Sequence, residues 1–321
     1  MNKLVALVII TLFYQSSASC QLALPYPSVD AQRAAYANKK WVKPTRLLDS
    51  LQIVTDLKFL ASDTCEGRSP GSVGHELAMK RVIARMKAAG LDSLDNSLVQ
   101  TFSARGPFGN TTGKNVIGWL KGKKEPNKFM VISAHYDHVG KNSRGTFYGA
   151  DDNASGVACL LAMAKYFKKN PQPYSIIFAA FDREESGLQG AHKFVEYMDS
   201  TNRLSAIKFN LNMDMIARSD SNEMFASGTR HYPAYISVVE KVRPLTNTVL
   251  LIGHDYGSSR EDWTKLSDQF AFHKKNIPFL FVSVEDHEDY HKPTDTVDRI
   301  NLSRYIENCN MLLLLAKSIS L

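Results

Sequence analysis

Four apolar segments of this chain share one pattern, in which a short apolar run ends at histidine or acidic residues. The runs are MVISA before His135, SIIFAAF before Asp182, FNLNM before Asp214 and PFLFVSVE before the cluster 286–291. Apolar runs rich in β-branched and aromatic residues, separated by helical patterns, predict buried strands of an α/β sheet. Ligands of such sheets bind outside the carboxyl ends of the strands. We therefore expect the polar residues after the four runs to meet at one edge of the sheet.

Segments with a helical spacing of apolar residues lie between and around these strands. The predicted helices cover residues 47–60, 73–89, 155–169, 187–198 and 233–242, and further strands are predicted at LVQTF, NVIGWLKG and residues 248–252. Gly90 is placed to end the second helix, and Asn301 to cap a last helix. The pattern predicts an α/β fold, a single domain with a central mixed, largely parallel β-sheet flanked by helices.

The amino terminus has the pattern of an export signal. Lys3 precedes the apolar stretch from Leu4 to Phe13, and small residues follow up to Cys20. The stretch is shorter than the roughly 20 residues that a permanent membrane span needs. We expect residues 1–20 to be a signal peptide, residues 21–44 a mobile leader with one short helical segment, and residues 45–321 one domain without a membrane span.

Cys20 leaves two destinations open for the exported protein. A cysteine directly after small residues resembles the acceptor of a bacterial lipoprotein, although Ser17 stands where leucine is usual. With a lipid anchor at Cys20 the protein would be an outer-membrane lipoprotein. Without it, the protein would be periplasmic or extracellular.

Charge and cysteine content exclude other classes of protein. The net charge is +7, but the basic residues are interspersed with acidic ones and form no basic stripe among aromatic residues. This argues against a nucleic-acid partner. Cys65, Cys159 and Cys309 are too few for a disulfide framework. The last two lie in apolar helical segments, so we expect buried side chains rather than nucleophiles.

The polar residues after the predicted strands suit a metal site. In an extended segment, residues two apart project to the same face, so His135 and Asp137 stand side by side. This spacing suits a metal ligand and a carboxylate that accepts the other N–H of the imidazole and fixes its tautomer. The candidates that reach the same edge are His135, Asp151, Glu184, Glu185, Asp214 and His291.

Five sequence blocks make the chain similar to the M28 family of zinc aminopeptidases, in a form without a protease-associated domain. The blocks are HYDHVG at His135, GADDNASG at Gly149, FDREESGLQGA at Phe181, NMDMI at Asn212 and YHKPTDT at Tyr290. The blocks lie between residues 135 and 296, and the resemblance as a whole extends over about residues 60–300. The resemblance implies a secreted enzyme that hydrolyses the N-terminal peptide bond of peptides with a free N-terminus.

The resemblance also implies a set of ligands for two Zn²⁺ ions, with Co²⁺ or Mn²⁺ as alternatives. Asp151 would bridge the ions, His135 and Asp214 would complete one site, and Glu185 and His291 the other. Zinc accepts this mixture of imidazole and carboxylate ligands. In the family the peptide bond after the bridging aspartate is cis, which places it after Asp151 here.

Three further residues receive catalytic roles from the resemblance. Glu184 would be the general base that takes a proton from the metal-bound water and passes it to the leaving amine. Asp137 would orient His135 from behind. Tyr290 matches a tyrosine that steadies the developing oxyanion in some members of the family.

Two other functions are alternatives to the peptidase. A glutaminyl cyclase has the same fold but uses a single zinc, and the full ligand set together with GLQGA favours the peptidase. A non-catalytic binding protein on this fold would lack the base or a ligand, and none is missing. We expect His138 and His287 to be site-wall or loop residues, while Gln269 stands where histidine is usual in the family and leaves the specificity pocket undefined.

Overall fold

The computed structural model describes residues 26–321 except 38, 45, 107, 108, 220 and 258–260. The strands are β1 (Val99–Gly106), β2 (Gly109–Leu120), β3 (Glu125–His135), β4 (Gly140–Asn142), β5 (Gly145–Phe147), β6 (Tyr174–Phe181), β7 (Ile207–Met213), β8 (Glu223–Ser227), β9 (Val249–Ile252) and β10 (Phe279–Ser283). The helices are α1 (Val29–Tyr36), α2 (Ser50–Leu60), α3 (Val73–Ala88), α4 (Gly156–Lys169), α5 (Gln189–Ser200), α6 (Ile236–Val242), α7 (Gln269–His273) and α8 (Leu302–Ser318).

The main sheet has the strand order β1-β2-β6-β3-β7-β10-β8-β9. Its centre consists of four parallel neighbours, β6, β3, β7 and β10. The strands on either side of this centre, β2 and β8, pair with it in antiparallel orientation. The predicted mixed, largely parallel sheet is therefore confirmed, although β8 was not foreseen. Because the four apolar runs are adjacent and parallel, the residues that follow them meet at one edge.

Apolar side chains of the central strands alternate between two hydrophobic layers. In β3, Met130 and Ile132 belong to the larger core, whereas Val131 belongs to the smaller one. This alternation follows from the two-residue period of a strand. All eight residues of β6 are buried, as a strand covered by helices on both faces requires.

Several helix ends lie where the sequence predicts them. The side chain of Ser72 accepts a hydrogen bond from the backbone N–H of His75 at the start of α3. Asn301 caps α8 in the same way, by accepting from the N–H of Arg304. Gly90 follows α3 with a φ of 68°, a left-handed conformation in which glycine is favoured.

The described part of the leader packs on the sheet instead of being mobile. Helix α1 covers the edge strand β9, where the side-chain amide of Gln32 donates to the carbonyl of Ile252 and accepts from its N–H. The hydroxyl of Tyr36 makes the same pair of bonds with Leu250. An edge strand presents unpaired backbone groups, and α1 satisfies them with side chains.

The export signal and Cys20 lie outside the described residues, so both stay predictions. Among the described residues, no helix is long and apolar enough to cross a bilayer. Cys65, Cys159 and Cys309 are free thiols and buried, as we expected for the last two.

Candidate metal centre

The candidate site lies at the carboxyl edge of the four parallel strands. Each of its residues stands at a strand end or in the loop that follows one: His135 ends β3, Glu184 and Glu185 follow β6, Asp214 follows β7, and His291 lies in the loop after β10. Asp152 enters from the loop that leads from β5 into α4. The topology of the sheet thus gathers residues that are far apart in the sequence.

Asp152 lies between two groups of potential ligands. Its Oδ1 is 3.3 Å from Nε2 of His135, and this nitrogen is 3.2 Å from Oδ1 of Asp214. Its Oδ2 is 3.1 Å from Nε2 of His291, and this nitrogen is 3.1 Å from Oε2 of Glu185. Each oxygen of one carboxylate therefore faces a different imidazole.

The expectation that Asp151 has the central position is wrong in this geometry. Its Oδ1 accepts the backbone N–H of Ala217 at 2.7 Å, and its Oδ2 accepts that of Arg218 at 3.2 Å. The hydroxyl of Ser155 also donates to Oδ1. The carboxylate of Asp151 is thus used inside the loops, and Asp152 takes the place between the histidines.

The cis peptide bond is displaced by the same single residue. It joins Asp152 to Asn153, whereas it was expected between Asp151 and Asp152. Two adjacent aspartates of the same chemistry offer no signal in the sequence to decide which one turns inward.

His138 adjoins the second group of ligands, although we expected it to be a site-wall or loop residue. Its Nδ1 is 2.7 Å from Oε1 of Glu185 and 3.7 Å from Oδ2 of Asp152. In the sequence, its position three residues after His135, in the same block, could have indicated that it lies beside the metal ligands. Two histidines, His138 and His291, therefore border the same pair of carboxylates.

Asp137 is completely buried between His135 and the turn that carries Glu184. Its Oδ1 accepts the backbone N–H of Glu184 at 3.1 Å and lies 3.7 Å from Nδ1 of His135. That nitrogen has a nearer neighbour, the backbone carbonyl of Asp137 at 3.2 Å. Asp137 thus lies near the imidazole that it was expected to orient and also binds the turn of Glu184, and its orienting role stays a prediction.

The aromatic ring of Tyr290 stacks on the imidazole of His291, with centroids 4.1 Å apart. Burial, followed by the charges of nearby carboxylates, raises the pKa of its hydroxyl. The hydroxyl therefore keeps its proton and remains a hydrogen-bond donor. His287 lies behind the site, with Nε2 3.3 Å from Oδ2 of Asp151.

Crowded negative charge dominates the electrostatics of the site. Burial, together with neighbouring carboxylates, raises the pKa of Glu184 well above its usual range, and burial raises that of Asp214. Hydrogen bonds to Asp152 and Glu185 raise the pKa of His291 to about 10. The neighbouring carboxylates thus oppose the ionisation of Glu184.

These residues fit divalent cations. Buried charges in proteins are normally paired or coordinate metals. Two groups have their ligand atoms within 4.8 Å of one another, His135 with Asp152 and Asp214, and His138 with Asp152 and Glu185. Imidazole nitrogen and carboxylate oxygen are the atoms that bind Zn²⁺.

Gln269 is part of the support behind Asp214 rather than an open pocket wall. Its side-chain oxygen accepts from the amide of Asn212, and its nitrogen donates to the carbonyl of Trp263. The same amide of Asn212 donates to the hydroxyl of Ser267, which in turn donates to Asp214 at 2.8 Å. Gln269 is fully buried, so it acts through this network.

Fold and site together define a class of protein, in which a mixed α/β sheet carries a candidate metal centre at the carboxyl ends of its parallel strands. The chain belongs to Peptidase family M28, whose model matches residues 115–316, more than half of the chain. The resemblance inferred from the five sequence blocks is thereby confirmed.

Among curated proteins, the chain is similar to Aminopeptidase YwaD of Bacillus subtilis (strain 168). The two are 32% identical over 207 residues, which are 61% of this chain and 42% of that protein. The chain thus matches less than half of the length of that relative.

Solved structures of two named activities share the fold. BSAP, a zinc aminopeptidase from Bacillus subtilis, superposes with a TM-score of 0.66 at 17% identity, covering 85% of this chain and 95% of that chain. The glutaminyl cyclase of Fimbriiglobus ruber superposes with a TM-score of 0.70 at 19% identity, covering 87% and 98%. At these identities the similarity establishes the fold alone.

Proposed function

We propose that this chain is an exported dizinc aminopeptidase that releases the first residue of peptides. The observation that carries the proposal is the position of Asp152, whose two oxygens face separate groups. His135 and Asp214 would complete one metal site, and Glu185 and His291 the other. Five protein ligands exceed the three that a single catalytic zinc normally uses.

When bound, two zinc ions would lower the pKa of a water molecule and polarise the scissile carbonyl. Glu184 belongs to neither group of metal ligands, so its carboxylate is free for proton transfer. Its backbone N–H donates to Asp137, and burial raises the pKa of its carboxyl group, which makes the carboxylate a stronger proton acceptor. The carboxylate takes a proton from the attacking water and gives it to the leaving amine.

Tyr290 would support the same step at the carbonyl oxygen of the substrate. Its hydroxyl stays protonated, because burial and nearby carboxylates raise its pKa. A hydrogen bond from this hydroxyl to the carbonyl oxygen of the substrate becomes stronger as negative charge develops there.

A free N-terminal amine is the recognition element that the charge of the site favours. Glu184 and the carboxylates of the metal ligands form an acidic edge, and a protonated α-amino group would be attracted to it. Peptides without this charge lack the attraction. The proposal therefore predicts an exopeptidase.

The competing proposal is a glutaminyl cyclase with a single zinc, since the fold also occurs in such enzymes. Both enzymes act at a free N-terminus, but the cyclase releases ammonia from N-terminal glutamine without cleaving a peptide bond. The two proposals thus differ in their products and in the number of zinc ions.

One experiment separates the two. Purified protein is analysed for zinc and incubated with Leu- and Ala-led peptides, their N-acetylated forms and Gln-led peptides. We expect two zinc ions per chain, release of the first residue from the free peptides and none from the acetylated ones. Ammonia release from Gln-led peptides together with one zinc per chain would establish the cyclase instead.

Export is the part of the proposal that rests on residues 1–20 alone. Expression of the full chain in a bacterium, followed by fractionation, tests it. We expect the protein in the periplasm or medium, or in the outer membrane if Cys20 is lipidated.

A further inference from the structure

Arg68 is fully buried beside the candidate metal centre. Its five N–H groups all donate to backbone carbonyls: Nε to Tyr136 at 3.0 Å, Nη1 to Leu60 and Tyr148 at 2.7 Å each, and Nη2 to Gly149 at 2.8 Å and Asp152 at 3.2 Å. Five donors are all that a guanidinium has. The side chain is thus completely saturated by the main chain.

Three of these carbonyls belong to the segments that carry metal-ligand candidates. Tyr136 follows His135 directly, and the bond from Arg68 holds the backbone just after that imidazole. Gly149 and Asp152 frame the loop that presents the bridging carboxylate. One rigid, planar group therefore ties the end of β3 to the loop before α4.

Asp295 holds the same loop through the opposite kind of backbone group. Its carboxylate accepts the N–H groups of Asp151 at 3.0 Å and of Asp152 at 3.1 Å. Arg68 takes the carbonyl of Asp152. The loop is therefore bound through its donors and its acceptors at once.

The backbone around Arg68 adopts a costly conformation. Glu66, Gly67 and Arg68 have φ values of 47°, 71° and 52°, so that three successive residues are left-handed. A Cβ at Gly67 would meet the carbonyl oxygens of Phe147 and Gly140 at 2.4 and 2.5 Å. Strain of this kind persists only where the surroundings impose it, and it is concentrated at functional sites.

Arg68 also brings an unpaired positive charge to an acidic region. Among the described residues, no carboxylate forms an ion pair with its guanidinium, although Asp152, Asp295 and Asp137 are near enough to act on its charge. A buried arginine that needed only a partner would bind a carboxylate directly. Here the guanidinium binds backbone carbonyls of the loops instead of pairing with a carboxylate.

We propose that Arg68 is a positioning residue of the metal centre, which sets the distance between His135 and Asp152 by fixing the carbonyls of Tyr136, Gly149 and Asp152. The inference rests on the metal centre of the proposed function. It adds that the ligands are held by an arginine that touches neither metal nor substrate.

The test uses the full chain with Arg68→Lys and Arg68→Gln. Lysine keeps the charge but cannot reach five carbonyls in one plane, and glutamine keeps two donors without the charge. We measure zinc affinity by competition with a chelating dye, the stability of the metal-free protein, and kcat and KM at saturating zinc. Loss of a group that orients ligands lowers metal affinity about 10–100-fold.

We expect this loss in both variants, with kcat at least about tenfold lower and KM nearly unchanged. Arg81→Lys is the matched control, because Arg81 lies on a partly exposed face of α3 and pairs with Asp56 of α2. Val242→Ala in α6 controls for a general loss of stability. Neither control is expected to change zinc affinity.

Unchanged zinc affinity and kcat in folded Arg68→Lys and Arg68→Gln would refute the proposal, as would failure of both variants to fold at saturating zinc. Because affinity is measured without substrate, the result does not depend on peptidase activity. A wild-type protein that binds zinc but cleaves no peptide would refute the proposed function and leave this test valid.

Discussion

Exchange of the two adjacent aspartates for asparagine tests the central feature of the site. Asp152→Asn keeps the shape of the side chain but leaves one carbonyl oxygen and an NH₂ group where two oxygens faced two imidazoles. One of the two groups then faces a donor that cannot bind a cation. We expect the zinc content to fall from two ions to at most one, and turnover to fall about 10–100-fold.

Asp151→Asn is the matched control, with the same chemical change one residue away. The carboxylate of Asp151 accepts two backbone N–H groups and a hydroxyl, so the amide can satisfy only part of them. Hydrogen bonds to a charged group contribute roughly 1.5–3 kcal/mol each. We therefore expect the free energy of unfolding to fall by about that amount, with both zinc ions retained.

Metal analysis after dialysis and thermal unfolding of the metal-free proteins separate the two effects. The expected result is a loss of metal in Asp152→Asn and a loss of stability in Asp151→Asn. A variant pair in which Asp151→Asn loses zinc while Asp152→Asn keeps both ions would show that the order of the two residues is reversed. The bridging role would then return to Asp151.

Three further predictions concern single side chains. Glu184→Gln should keep both zinc ions and lose about 10²–10⁴-fold in turnover, whereas Glu185→Gln should lose metal; equal zinc content in both would show that the roles are misassigned. Tyr290→Phe should lower kcat roughly 10²-fold with little change in KM. An unchanged kcat would show that the ring only packs and that its hydroxyl has no catalytic role. Burial of Asp289 opposes its charge, but the bond from Arg218 outweighs this and lowers its pKa from 3.8 to about 2. The stabilisation by this ionised carboxylate is complete above pH 3.8 and is lost as the pH falls towards 2. The free energies of unfolding of wild type and Asp289→Asn, measured by chemical denaturation, should therefore converge over that range. A constant difference between them would contradict the assignment.

The architecture and the location of the chemistry follow from the pattern of residues along the chain. Four apolar runs are long and continuous because both faces of their strands are covered, and this pattern is visible without a structure. His135 and Asp214 stand directly at the ends of such runs, so their meeting at one edge follows from the parallel order of the strands. Capping residues such as Asn301 are equally local signals.

Which side chains within a block face the centre depends on contacts between distant segments. Asp151 and Asp152 are chemically identical, and their directions depend on the loop conformation and on partners more than 60 residues away, such as Ala217. His138 was undervalued for the same reason, since its contact with Glu185 joins different strands. The sequence pattern does not show such side-chain directions and contacts.

The support around the centre depends even more on contacts between distant segments. Arg68 lies in a loop whose glycine and proline content predicts only a turn, yet its guanidinium reaches carbonyls up to 84 residues away. Helix α1 is a short segment whose buried residue, Gln32, is polar, and its hydrogen bonds to the edge strand β9 hold the helix in place. Hydrogen bonds of this kind depend on positions in space, and these exist only once the sheet has assembled.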